Sequence, residues 1–138
     1  MWKYYALLSA LFAALTAIFA KVGVKGINSN LATAIRTTVI LLLPWGIVAF
    51  TGHIGKLKVI SRHTWCFLLL SVLATGLSWL FYFKALQTGS VSRVAPIDKL
   101  SVVITTFLAF FLLRETISLK TLIGDVLITT GSIFMLWK

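Results

Sequence analysis

The sequence predicts an all-α integral membrane protein with about five transmembrane helices. Of its 138 residues, 59% are hydrophobic and 12% are charged, and the mean hydropathy is +1.02. A membrane-spanning helix takes about 20 mostly apolar residues. Five such runs follow one another, at residues 4–20, 31–50, 65–86, 94–113 and 119–137. Because almost no chain remains for a water-soluble domain, we expect a single transmembrane domain over residues 1–138.

The charge of the chain indicates a lipid partner. Lys and Arg number 13 against three acidic residues, which gives a net charge of +10. Most of these cations lie in the short connectors between the apolar runs, where they would meet anionic lipid headgroups. We therefore expect the lipid bilayer as a partner and no nucleic acid.

Nothing in the sequence indicates covalent chemistry or a metal site. The single cysteine, Cys66, leaves no pair for an intramolecular disulfide. With only two histidines, the chain also shows no cluster with metal-ligand spacing. We expect no enzyme activity, no catalytic residue, no metal and no cofactor.

The first span follows an aromatic and basic collar, Trp2 to Tyr5, of the kind found at membrane interfaces. Small residues recur along it at helical spacing and predict a face for close helix packing. After a turn-rich connector, Asn28, Ser29 or Asn30 is expected to cap the second span.

Arg36 lies about six residues inside the second span. Its guanidinium stays charged, so it needs a carboxylate, a carbonyl, a lipid headgroup or a substrate anion as a partner. Two interpretations stay open. The side chain either extends to the headgroups or contacts a substrate.

Polar residues form a stripe on the third span at spacings of four, three and four: Ser71, Thr75, Ser78 and Tyr82. A stripe of this period predicts an inward-facing surface. It would either hydrogen-bond a neighbouring helix or line a hydrated path, and we favour the path. Lys84 follows near the end of the span, where substrate contact competes with extension to the headgroups.

The fourth span contains Asp98 and Lys99, and Asp98 shares one helix face with Ser101 and Thr105. An ionisable side chain in hydrocarbon costs roughly 2.5–3.5 kcal/mol on insertion scales, so such residues usually face a bundle interior or a wet cavity. Adjacent residues on a helix do not face one another, which argues against an ion pair between Asp98 and Lys99.

Pro96 removes a backbone donor two residues before Asp98 and predicts either a late helix start or a kink. If the helix starts near Pro96, Asp98 and Lys99 lie in an interfacial first turn instead of inside the membrane. The sequence leaves both possibilities open.

In the fifth span Asp125 lies beside Thr129 and Ser132, and Gly124 and Gly131 predict a close-packing face. Asp125 is either a second buried acid or an interfacial acid favoured by the helix dipole.

Several of these residues together resemble a known family. Phe83-Lys84-Ala85-Leu86, a small-residue segment, a fourth helix ending in Leu113-Arg114-Glu115, and Gly124 and Gly131 in the last helix resemble the EamA-type repeat of the drug/metabolite transporter superfamily. The resemblance covers essentially the whole chain, and Arg36 matches an arginine early in the family's second helix. Most members fuse two five-helix repeats in opposite orientation, whereas this chain resembles the half-size members. Pro96 lies earlier in the fourth helix than the proline of many members.

The resemblance implies a multi-pass secondary transporter of the cell membrane, bacterial inner membrane or equivalent, that moves a small metabolite or drug outward as a dimer. Cations in the spans outnumber acids, which favours an anionic or zwitterionic substrate. We expect substrate-binding roles for Arg36, Ser71, Thr75, Ser78, Tyr82, Lys84 and Lys99. Proton coupling is expected at Asp98 and Asp125.

Two other functions stay open. A flippase for a lipid-linked sugar or a polyprenyl phosphate would use the same cations for the headgroup. A non-transporting scaffold subunit would need no polar path, and the stripe on the third span argues against it. Arg114 and Glu115 are expected at the membrane surface, with Glu115 capping the next helix or pairing with a loop cation.

The Lys and Arg bias that orients membrane proteins is nearly absent. One face would hold six cations: Lys3, Lys56, Lys58, Arg62, Arg114 and Lys120. The other would hold four, Lys21, Lys25, Arg93 and Lys138, or seven if the three cations of the spans reach it. We therefore predict a dual-topology antiparallel homodimer, with a parallel dimer or a heterodimer with a paralogue as the alternatives.

Overall fold

The computed structural model describes residues 1–137, with the exception of the side chain of Lys56. Its helices are α1 (Trp2–Gly23), α2 (Ser29–Phe50), a 3₁₀ helix (His53–Val59), α3 (Arg62–Thr88), α4 (Val91–Asp98), α5 (Leu100–Leu113) and α6 (Leu119–Leu136). No strand occurs among the described residues. Two cations of the topology count, Lys138 and the side chain of Lys56, lie outside this description.

Five helical segments are long and apolar enough to cross a membrane, with α4 and α5 together forming the fourth. This confirms the predicted all-α membrane fold. The first three helices extend two or three residues beyond the predicted spans at one or both ends, because polar and aromatic residues at headgroup level continue the helical backbone. The fourth begins three residues earlier than predicted and is interrupted at Lys99.

Side chains mark the helix starts as expected from capping chemistry. Asn28 caps α2, and its Oδ1 accepts a hydrogen bond from the Asn30 N–H at 2.8 Å. Ser118 caps α6 by accepting from the Thr121 N–H at 3.1 Å. The expectation that Glu115 caps α6 was therefore wrong, since a serine hydroxyl directly before the helix already fills that role.

The chain comprises two compact units, and the first of them contains Phe19–Gln87. Its buried apolar side chains include Phe83 and Leu86 on α3, which are 2% and 0% exposed. The end of α3 is bound to the last turn of α1 and to the connector between α1 and α2. The Lys21 ammonium donates to the Leu86 carbonyl, and the Gln87 amide donates to the Ile27 carbonyl at 2.6 Å. These hydrogen bonds satisfy carbonyl groups at a helix end and in a connector.

The other unit contains Met1–Ile18 and the chain from Thr88 onward. Here α6 packs against both α4 and α5. The buried residues of α6 are Asp125 and Ser132, both polar. Large apolar side chains on these helices, such as Leu112 and Phe134, are exposed.

The predicted close-packing face of α6 is open within the described chain. A Cβ added at Gly124 or Gly131 would meet no heavy atom within 4 Å. The glycine spacing therefore serves no helix contact inside the described part of one chain.

Candidate functional site

Arg36 lies two turns into α2, and its guanidinium packs against aromatic rings of α3. The Cζ atom is 4.3 Å from the Phe83 ring centroid and 5.9 Å from that of Trp79. The Nη1 atom is fully buried and has no hydrogen-bond partner among the described residues. A charged donor in that state is costly, so this nitrogen needs an acceptor.

The unit that contains Arg36 has no carboxylate to offer. Residues 19–87 include no Asp or Glu, although they include seven Lys and Arg: Lys21, Lys25, Arg36, Lys56, Lys58, Arg62 and Lys84. Burial of Nη1 also argues against complete extension of the side chain to the headgroups. The surroundings of Arg36 therefore suit an anion that is supplied from outside the unit.

Within a single chain, the polar stripe of α3 does not point inward. The prediction of an inward-facing stripe was wrong for the single chain. Ser71, Thr75 and Ser78 are exposed, and Tyr82 is half-buried with its ring edge-on to Phe83. The reason is that little of the chain covers the first half of α3, which is mostly exposed. Lys84 is also exposed.

The fourth span bends where its charges lie. Asp98 ends α4, eight residues into the span, so the alternative in which the helix starts near Pro96 does not hold. Lys99 interrupts the helix, and its N–H is 3.1 Å from the Pro96 carbonyl, at three-residue spacing. Pro96 thus marks a break rather than a late start.

Asp98 and Lys99 form an ion pair, contrary to the sequence prediction. The Lys99 Nζ atom is 3.7 Å from Asp98 Oδ2, and the two side chains are 57% and 39% exposed. The prediction assumed a regular helix, in which neighbours point apart. At the interruption, the long lysine side chain folds back to the carboxylate.

Asp125 is a buried acid in the second turn of α6, with 7% exposure. The Thr106 hydroxyl of α5 lies 3.4 Å from its Oδ1, and the same hydroxyl lies 3.1 Å from the Val102 carbonyl of α5. The carboxyl group lies against a cavity of about 270 Å³ whose walls include Val103, Phe107 and Val126. Its burial within the chain favours the first of the two alternatives, a second buried acid.

Two contributors to these sites, Thr106 and Trp79, were not singled out from the sequence, and Phe83 was named only as part of the family motif and not as a contact of Arg36. Trp79 and Phe83 are four residues apart on α3, and this spacing was an available signal for one aromatic face. Thr106 carried no comparable signal. Among the described residues, no group of three His, Cys, Asp or Glu could hold a metal ion.

Comparison with known proteins gives two relatives and a family. A Sinorhizobium protein described as an uncharacterized transporter in the cobO 3′ region is 52% identical over 134 residues, which are 97% of this chain and 95% of that protein. A protein of Erwinia tasmaniensis described as a probable 4-amino-4-deoxy-L-arabinose-phosphoundecaprenol flippase subunit, ArnE, is 37% identical over 65 residues, 47% of this chain and 60% of that protein. No solved structure matches. Residues 1–137 match the EamA-like transporter family, and the chain therefore belongs to that family of multi-pass membrane transporters.

Proposed function

We propose that the protein is a secondary exporter of a small anionic or zwitterionic metabolite or drug. The observation that carries this proposal is the buried, unpartnered Nη1 of Arg36 in a unit without a carboxylate. A guanidinium offers a planar set of donors that matches a carboxylate or a phosphate. Because Phe83 and Trp79 already pack against the guanidinium, it loses less freedom when the anion binds.

The remaining substrate contacts in this proposal come from α3 and from the break in the fourth span. Ser71, Thr75, Ser78 and Tyr82 would supply hydroxyl groups along the path. Lys84 and Lys99 would supply further positive charge. Within one chain, Lys99 forms an ion pair with Asp98. A substrate anion would therefore compete with the Asp98 carboxylate for Lys99.

Proton coupling is proposed for the two acids of the spans, with Asp125 as the main carrier. Its burial against an apolar cavity makes the ionised form costly, whereas a protonated acid fits there readily. A change in the water content of the cavity would then release or recover the proton. Asp98 is more exposed and already has Lys99 as a partner, which suits a secondary role.

We further propose that two chains work together as an antiparallel homodimer. Half of a transporter built from inverted repeats needs a second half, and the site of such transporters lies at the repeat interface. The polar stripe of α3 is exposed in one chain and would be covered by the second. A heterodimer with a paralogue is the competing arrangement.

Transport by purified protein in proteoliposomes tests the proposal. A thermal-shift screen first compares each candidate acid with its neutral ester or amide, and only the acid should raise the melting temperature. Flux of the selected compound is then measured with and without an imposed proton gradient. Dependence on the gradient should be lost in Asp125→Asn and kept in Lys120→Gln, a matched change of an exposed charge in the first turn of α6. Gradient-driven flux that persists in both Asp125→Asn and Asp98→Asn refutes coupling through these acids.

A second function is favoured by one finding, the similarity to the ArnE flippase subunit over 65 residues. A flippase for a lipid-linked sugar or a polyprenyl phosphate would use Arg36 for the phosphate. Mass spectrometry of lipids that copurify with the protein distinguishes this flippase from the exporter proposed above. A stoichiometric polyprenyl phosphate that disappears in Arg36→Gln favours the flippase. Failure of both assays with a folded protein favours a non-transporting scaffold.

A further inference from the structure

The break in the fourth span is a tight turn rather than a loss of helix. The Lys99 N–H lies 3.1 Å from the Pro96 carbonyl, and the Val102 N–H donates to the Lys99 carbonyl at 3.0 Å. Both hydrogen bonds have the three-residue spacing of a 3₁₀ turn, and the Lys99 N–H is shared with the Ala95 carbonyl at 3.3 Å, the four-residue spacing of the α-helix. A short stretch of this kind within a helix often marks a hinge. The backbone at Pro96 and Lys99 is therefore the place where the span can change direction.

A side chain from another helix reaches this turn. The Ser132 hydroxyl of α6 donates to the Pro96 carbonyl at 3.0 Å, and Ser132 is 4% exposed. Thr129 and Thr130, its neighbours on α6, instead donate to carbonyls of their own helix. The Ser132 hydroxyl thus donates to the backbone of the fourth span and not to a carbonyl of α6.

Two polar links connect α6 to the two halves of the fourth span. Ser132 binds α4 through the Pro96 carbonyl, and Asp125 accepts from Thr106 of α5. Asp125 and Ser132 are seven residues apart and lie on one face of α6. One face of α6 therefore contacts both halves of the fourth span.

We propose that Ser132 is a positioning residue that fixes the bend of the fourth span and so the placement of Asp98 and Lys99. Release of the hydroxyl from the Pro96 carbonyl frees the turn, and the span then adopts a second angle. The inference depends on the proposed function only in the claim that Asp98 and Lys99 act in transport. The claim that Ser132 fixes the bend of the fourth span does not depend on the substrate.

Distances between spin labels on α4 and α5 test whether Ser132 fixes the bend of the fourth span. Labels at Ser92→Cys and Phe111→Cys, in a Cys66→Ala background and diluted with excess unlabelled Cys66→Ala protein so that only distances within one chain contribute, report the angle between α4 and α5 in reconstituted protein. We expect one main distance in the parent protein and a second distance in Ser132→Ala. The ratio of the bent to the second population should fall about two- to tenfold, the range for one lost hydrogen bond.

Two further variants separate positioning from packing. Ser132→Thr keeps the hydroxyl and should restore the single distance, whereas Thr130→Val removes a hydroxyl bound within α6 and should change nothing. If Ser132→Ala does not fold, Ser132→Gly, which also lacks the hydroxyl, takes its place. An unchanged distance in Ser132→Ala or Ser132→Gly, or no restoration by threonine, overturns the proposal. Failure of the transport assay alone, with the second distance present, counts against the proposed function instead.

Discussion

Arg36→Met should stabilise the folded protein while it abolishes transport. Methionine has a similar length and no donor that requires an acceptor. In the native protein, Nη1 is buried without a hydrogen-bond partner among the described residues. The guanidinium gains only its contacts with Phe83 and Trp79 in return.

The sign of this effect follows from two magnitudes. An unsatisfied buried donor costs about 1–3 kcal/mol, and more when it is charged. A cation–π contact contributes about 0.5–1 kcal/mol at exposed sites and about 2 kcal/mol when desolvated. Because Arg36 is half-buried, about 1 kcal/mol is the appropriate value for its ring contacts. Removal of the guanidinium should therefore raise the free energy of unfolding by about 1 kcal/mol, which is about 4 °C in melting temperature for a chain of this length.

Thermal unfolding in nanodiscs without substrate measures the stability, and uptake by proteoliposomes measures the function. Loss of one charge-assisted interaction should weaken substrate binding about 10- to 100-fold. Arg62→Met, at an exposed position that begins α3, is the matched control and should stay within about 0.5 kcal/mol of the parent. Destabilisation by more than about 1 kcal/mol in Arg36→Met would show that the arginine has a structural anion partner, and the reasoning above would be wrong.

Three further predictions concern the connectors. Arg114, directly after α5, has a φ of 53°, a left-handed conformation that suits glycine. Arg114→Gly should therefore raise the free energy of unfolding by about 1 kcal/mol, measured by thermal unfolding. A lower melting temperature would contradict this. Glu115 is exposed and does not cap α6, so Glu115→Gln should transport at the parent rate, and loss of flux at normal yield would assign it a functional role. Under dual topology, Lys25→Cys and Lys58→Cys, each in a Cys66→Ala background, should each be labelled from outside the cell in a fraction of molecules; strictly one-sided labelling would refute the antiparallel homodimer.

Composition and periodicity were sufficient for the fold class because the bilayer restricts what a hydrophobic chain can form. Without water, backbone groups in the hydrocarbon must be paired within the chain, so each apolar run of suitable length becomes a helix. Capping chemistry predicted that Asn28, Ser29 or Asn30 would cap α2, and the cap is Asn28. Composition and periodicity placed the helix ends only approximately, since polar residues at headgroup level, such as Arg62, continue the helix at little cost.

The inward or outward orientation of polar faces could not be predicted in this way. In water, a polar stripe and an apolar stripe separate because one side is solvated, but in lipid the apolar faces of a helix need no protein cover. The exposed hydroxyls of Ser71, Thr75 and Ser78 therefore do not conflict with the helical pattern. They show that periodicity defines a face of α3 without defining what covers it.

The ion pair between Asp98 and Lys99 could not be predicted from the sequence either, because it depends on a local departure from the regular helix. Pro96 signalled a departure, yet the sequence did not show whether it would be a late start, a kink or a tight turn. The outcome depends on α6, where Ser132 donates to the Pro96 carbonyl from 36 residues away. The Pro96 carbonyl accepts from the Lys99 N–H and has a second lone pair, which the Ser132 hydroxyl uses. In this fold, the ion pair of Asp98 and Lys99 therefore lies where the backbone is irregular, beside a carbonyl that is bound by the same helix that contains the buried Asp125.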